Sequence, residues 1–178
     1  MPTRSARIGL IGTGFVADLY MRSLQTFPHI VVDCAFDIDA ARLGMFCRYW
    51  KVRPAGSLDE LLHAPGVELV LNLTNPGAHF EVSRACLAAG RHVYSEKPLA
   101  MDMDDARALV ALASASGLML ASAPCSLLGE AAQTLWASVR REDAGRPLLV
   151  YFSLRRPVAS YRPFPLVRRL GEDLRILR

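Results

Sequence analysis

Two rhythms of apolar residues alternate along this chain. Short, nearly unbroken apolar runs predict strands at 7–11, 30–36, 67–73, 91–95 and 118–121, with a brief one at 52–55 and another at 147–154. Between them, apolar positions return every three or four residues and predict helices at 15–27, 39–49, 57–63, 76–89, 102–116 and 126–141. End signals agree with this division. Ser57 with Glu60 forms a capping-box pair, and Gly90 and Gly117 stand where helices stop. Strands this apolar, set between amphipathic helices, are covered on both faces, which is the condition of a parallel sheet. Right-handed crossovers then give an α/β doubly wound parallel sheet. A boundary is expected at Glu142–Pro147, where polar residues, glycine and proline cluster.

In such a sheet, ligands sit beyond the carboxyl ends of the strands. The first of these ends is the most informative. The run Ile8-Gly9-Leu10-Ile11 enters Gly12-Thr13-Gly14-Phe15-Val16-Ala17 and opens a helix. Gly12, Gly14 and Ala17 fit the dinucleotide fingerprint: a tight turn, a close approach to a pyrophosphate, and close packing of helix on strand. The bare helix N-terminus adds unpaired N–H groups for phosphate. The second strand ends at Asp37, twenty residues beyond Ala17, where a carboxylate accepts from the adenosine ribose hydroxyls.

Two further strand ends carry polar groups. Thr74 and Asn75 precede Pro76; by local sequence they either face a ribose or cap the following helix. His79, inside that helix, reads as a residue that packs or meets water rather than one that catalyses. Glu96-Lys97-Pro98 puts adjacent charges on a short loop. Lys97 is one of two lysines against nineteen arginines, which suits a place arginine does not fill; the alternative is a solvated ion pair on a turn.

Composition narrows the class. The chain has 178 residues and is 52% hydrophobic, enough for a sizeable core. No apolar run approaches the roughly 20 residues of a membrane span, and the N-terminus lacks a secretory pattern, so a cytoplasmic protein is expected. Cys34, Cys47, Cys86 and Cys125 have no metal-ligand spacing and read as reduced, mostly buried thiols, and no metal is expected. The net charge of +4 comes from the tail, since residues 155–178 hold seven arginines, two acids and no lysine. The body is close to neutral, which argues against nucleic acid as the partner. Trp136 and the Leu127/Leu128/Leu135 stripe read as core.

Taken together, Gly12-Thr13-Gly14-Phe15-Val16-Ala17, Asp37, Thr74-Asn75-Pro76 with His79, and Glu96-Lys97-Pro98 resemble the N-terminal half of the Gfo/Idh/MocA family of nicotinamide-dependent oxidoreductases. The resemblance spans about residues 6–154. It implies a Rossmann domain over 1–145 and, over 146–178, only the start of a second α/β domain that supplies substrate pocket and dimer contacts. It implies NAD as cofactor, with Arg42 leaving NADP open. Gly12 to Ala17 would hold the pyrophosphate and Asp37 the adenosine ribose. Thr74, Asn75 and His79 would line the nicotinamide side, and Glu96 would meet the nicotinamide ribose. Lys97 would bind the reacting hydroxyl of a sugar, cyclitol or similar polyol and relay its proton. A homo-oligomer is compatible with these contacts. Residues 155–178 depart from the family pattern, and the chain reads as shortened. That leaves a non-catalytic dinucleotide-binding module, or an inactive remnant, as the competing reading. A methyltransferase-like domain using the same glycines would leave Glu96-Lys97-Pro98 unexplained.

Overall fold

The computed structural model describes residues 5–123 and 129–141, which belong to two compact units. The described residues of the first unit hold six strands: β1 (Ala6–Ile11), β2 (Ile30–Phe36), β3 (Arg53–Pro54), β4 (Val67–Asn72), β5 (His92–Ser95) and β6 (Leu120–Ser122). They form one sheet in the order β3-β2-β1-β4-β5-β6, and every pairing is parallel. This is the doubly wound order, in which the chain reverses direction beside β1 and opens a crevice between β1 and β4. Five helices join the strands: α1 (Phe15–Leu24), α2 (Ala40–Trp50), α3 (Leu58–Leu62), α4 (His79–Ala88) and α5 (Met103–Ala115).

The core divides into two layers, one on each face of the sheet. One gathers Ile8, Leu10, Ala17, Leu43 and Phe46 under α1 and α2; the other gathers Leu61, Val67, Val70, Leu87 and Leu109 under α3, α4 and α5. Successive residues of β1 from Ile8, and of β4 from Leu69, serve opposite layers, as the two-residue period requires; Val67 falls outside that alternation, where the β1–β4 register shifts. Cys34, Cys47 and Cys86 are buried free thiols. Burial pushes Cys34 up to about 11 and Cys86 up to about 12, which keeps both protonated and unreactive.

Helix ends follow their chemistry with three departures from expectation. Helix α1 stops at Leu24, short of residue 27. Residues 25–27 close in turn-like bonds, and Pro28 biases Phe27 away from helical backbone. The helix expected from Pro76 begins as a single 3₁₀ turn, Pro76–Ala78, and becomes α-helical only at His79. The third departure concerns the second unit, whose described element is α6 (Glu130–Arg140). Leu135 and Trp136, read as core, are 45% and 54% exposed. An amphipathic stripe is buried only where a second element covers it, and no other described element of that unit does so. Cys125, Leu127, Leu128, the 142–147 boundary, the 147–154 strand and the arginine-rich tail lie outside the described residues.

Candidate functional site

The carboxyl ends of β1, β2, β4 and β5 converge on the crevice. Gly12 adopts φ +91°, a left-handed backbone that costs glycine nothing. A Cβ on Gly12 would lie 2.6 Å from the Leu73 carbonyl oxygen, so the turn also presses against the end of β4. Gly14 is the N-cap of α1, and a Cβ there would meet nothing within 4 Å. Gly12 and Gly14, with Asp37, Arg42, Thr74 and Asn75, line a cleft of about 250 Å³. The N-terminus of α1 carries no side-chain cap and opens onto this cleft, the setting in which a helix end receives a phosphate. Ala17 is fully buried and Val16 partly so, while Phe15 is exposed at the rim.

Asp37 is the electrostatic centre of this end. One carboxylate oxygen accepts from the Thr13 N–H at 2.7 Å, the Thr13 hydroxyl at 2.8 Å and Arg42 Nε at 3.0 Å. The other accepts from Arg42 Nη2 at 2.6 Å and the Asp39 N–H at 2.9 Å. Five donors therefore surround a group with about four lone-pair sites. Burial pushes the Asp37 carboxyl upward. Arg42, the Asp39 and Thr13 N–H groups and the Thr13 hydroxyl outweigh it and hold the carboxyl at about 2. Thr13 is fully buried with its hydroxyl committed to Asp37, so it acts on the cleft through that carboxylate. The same balance makes a pH prediction. A carboxyl lying below its ordinary 3.8 contributes stability that is complete above about pH 4 and is lost as pH falls towards 2. That contribution is about 2 kcal/mol for a shift of this size. Urea midpoints should fall over that window in the parent and fall less in Asp37→Asn.

The β4 end is locked by a buried amide. Asn72 is fully buried; its Nδ2 donates to the His79 carbonyl (3.0 Å) and the Ser83 hydroxyl (2.9 Å). Its Oδ1 accepts from the Thr74 hydroxyl at 2.6 Å. Neither Thr74 nor Asn75 caps the following helix, since Thr74 turns back to Asn72 and Asn75 makes no cap bond. Asn75 is exposed on the cleft. The His79 ring is 1% exposed, with Nε2 3.0 Å from the Thr74 carbonyl and Nδ1 against the Pro98 carbonyl. It ties the Thr74 turn to the loop that carries Lys97. Sequence reasoning missed Asn72 and Ser83; a lone polar residue closing an apolar strand was the available signal.

Beyond β5, Glu96 is half-buried and Lys97 exposed. The Lys97 N–H donates to Glu96 Oε2 at 3.2 Å, and its ammonium makes no ion pair among the described residues. The Lys97–Pro98 peptide bond is cis. A larger groove of about 500 Å³ opens at the start of β1, lined by Arg7, Asp33, Arg53 and Glu60. It holds no glycine turn, and its charges pair with one another: Arg7 and Arg53 both with Asp33, and Arg53 with Glu60 at 2.7 Å. The smaller cleft is the better site because donors, acceptors and a helix N-terminus meet there. Among the described residues there is no cluster that could hold a metal and no helix long and apolar enough to cross a membrane.

A glycine turn into a bare helix N-terminus, a carboxylate closing β2 and a crevice where the strand order reverses together define a dinucleotide-binding α/β domain. The comparisons with known proteins narrow the class. The sequence profile described as "oxidoreductase family, NAD-binding Rossmann fold", that of Gfo/Idh/MocA, matches residues 6–123, and the chain belongs to this family. Inositol 2-dehydrogenase of Acidiphilium cryptum is 29% identical over 97% of the chain and 53% of its own length. That alignment covers too much of the chain to stop short of the arginine-rich tail. The WlbA dehydrogenase of Chromobacterium violaceum, solved with NADH and UDP-GlcNAcA, superposes with a TM-score of 0.77 at 26% identity, covering 82% of this chain and 43% of that one. Biliverdin reductase of Synechocystis, solved with biliverdin and NADP+, gives 0.68 at 28% identity, covering 76% and 43%. The chain spans about half or less of the length of the curated relatives it matches.

Proposed function

We propose that this chain is the coenzyme-binding part of an NAD(P)-dependent oxidoreductase acting on a secondary alcohol, or the matching ketone, of a sugar, cyclitol or similar polyol. The observation that carries the reading is the cleft at Gly12–Gly14. Gly12 cannot accept a side chain, whereas Gly14 leaves open space before the N-terminus of α1, which carries no side-chain cap. The names of the inositol and UDP-sugar relatives support the substrate class.

The residues take distinct tasks. The N–H groups opening α1 receive the diphosphate. The Asp37–Arg42 pair meets the adenosine ribose, and Asn75 and Glu96 offer polar groups towards the second ribose. When bound, the nicotinamide ring supplies the hydride acceptor or donor. Lys97, exposed and without an ion-pair partner among the described residues, holds the substrate oxygen and moves its proton. His79 and Asn72 hold the loops on either side, so their part is positioning. Incubation with NAD+ and a panel of cyclitols and nucleotide sugars, followed by reduced-nicotinamide absorbance, tests the reading. Substrate-dependent reduction is expected; coenzyme binding without turnover on any alcohol would favour the non-catalytic module.

Coenzyme choice follows from the saturation of Asp37. A ribose hydroxyl reaches that carboxylate by displacing one of its five donors, and the Arg42 guanidinium already offsets its charge. A 2′-phosphate is therefore tolerated, with Arg42 as its partner. Arg42→Ala is expected to weaken NADPH binding about tenfold more than NADH binding. Equal losses for the two coenzymes would refute this role.

A further inference from the structure

We propose that Tyr20 is a positioning residue for the coenzyme, fixing the Glu96 carboxylate where the ribose beside nicotinamide must bind. This rests on the coenzyme reading above and assigns a residue that neither the glycine motif nor the Glu96-Lys97-Pro98 triplet contains. Tyr20 stands in the second turn of α1, the helix opened by the glycine loop, and Glu96 follows β5. The Tyr20 hydroxyl donates to Glu96 Oε1 at 2.8 Å. Its ring is held edge-on by Tyr94, with centroids 6.1 Å apart at 63°. Burial, then the Glu96 carboxylate and Tyr94, push the Tyr20 phenol above its ordinary value, so it remains a donor while Glu96 is charged.

The contrast with Asp37 shows what this bond does. Asp37 is ringed by five donors. Among the described residues, Glu96 has a single strong one, from Tyr20, and a longer one from the Lys97 N–H. Roughly half its acceptor sites remain open on a carboxylate that is already oriented. An aimed acid with spare lone pairs suits a pair of ribose hydroxyls, and aiming it before the ligand arrives removes part of the ordering cost.

Titration of the 178-residue chain with NADH and with ADP tests the assignment. ADP carries the adenosine and diphosphate but lacks the second ribose. Tyr20→Phe keeps the ring against Tyr94 and removes only the hydroxyl. It should weaken NADH about fivefold while ADP binding stays within about twofold, because a hydrogen bond to a charged group is lost only on the nicotinamide side. In a Glu96→Ala background the same change should have no further effect, since no carboxylate remains to be aimed. Unchanged NADH binding by Tyr20→Phe, an equal loss for ADP, or additive losses in the double variant would each overturn the proposal. A folded parent chain that binds neither ligand would overturn the coenzyme reading and this inference with it.

Discussion

Gly14→Ala is expected to leave the fold intact and cut coenzyme affinity about a hundredfold, whereas Gly12→Ala is expected to damage both. The two glycines are two residues apart and serve different physical ends. At Gly12 the backbone is left-handed, and a Cβ would approach the Leu73 carbonyl oxygen to 2.6 Å and the Thr74 nitrogen to 2.9 Å. Those atoms are main chain at the end of a central strand and have nowhere to move. Strain and overlap together should cost about 3 kcal/mol of stability. At Gly14 no heavy atom lies within 4 Å of the Cβ position, so alanine costs the folded chain no more than about 1 kcal/mol as a poorer N-cap. On the proposed reading, what the methyl occupies is the space a diphosphate needs to reach the N-terminus of α1. Thermal melts and coenzyme titrations of the two variants separate these effects. A Gly14→Ala protein that binds as tightly as the parent would show that this space is not the phosphate site.

Lys97→Met should cut turnover by about 10²–10⁴ while coenzyme binding changes by less than about threefold. The lysine is exposed and pairs with no carboxylate among the described residues, so the fold does not depend on its charge. Methionine preserves the length of the stem and removes the ammonium. If that group holds the substrate oxygen and moves its proton, the rate falls by about 10²–10⁴, the range of a single general acid–base group. The loss belongs in kcat, because the interaction strengthens as charge develops on oxygen. A variant that keeps its kcat and loses only substrate affinity would reduce Lys97 to a binding residue. Wherever a substrate remains unidentified, the coenzyme titration still reports that the cleft is intact.

The parts of this account that were legible in the sequence are those coded by neighbours in the chain. Strand runs such as Val67–Asn72, the Gly12–Ala17 turn and the acid closing β2 depend on local pattern, and local pattern located them. Ser57 accepts from the Glu60 N–H as its capping box implies, although the Glu60 carboxylate reaches one residue further, to the Gly56 N–H. The remainder is coded across the fold. Nothing beside Thr13 says that its hydroxyl goes to Asp37, 24 residues away, nor that Tyr20 meets Glu96 across 76 residues. His79 was assigned both to packing and to the nicotinamide side, and only the convergence of the Thr74 and Pro98 carbonyls distinguishes its surroundings. Trp136 failed for the opposite reason. Its helix has the right period, but burial depends on a covering element that periodicity cannot report.

Isothermal calorimetry of the folded 178-residue chain with NADH and NADPH reaches the centre of the account. Saturable heat at one site per chain for either coenzyme, lost in Gly14→Ala, is the predicted result. Well-folded protein that takes up neither coenzyme would contradict it.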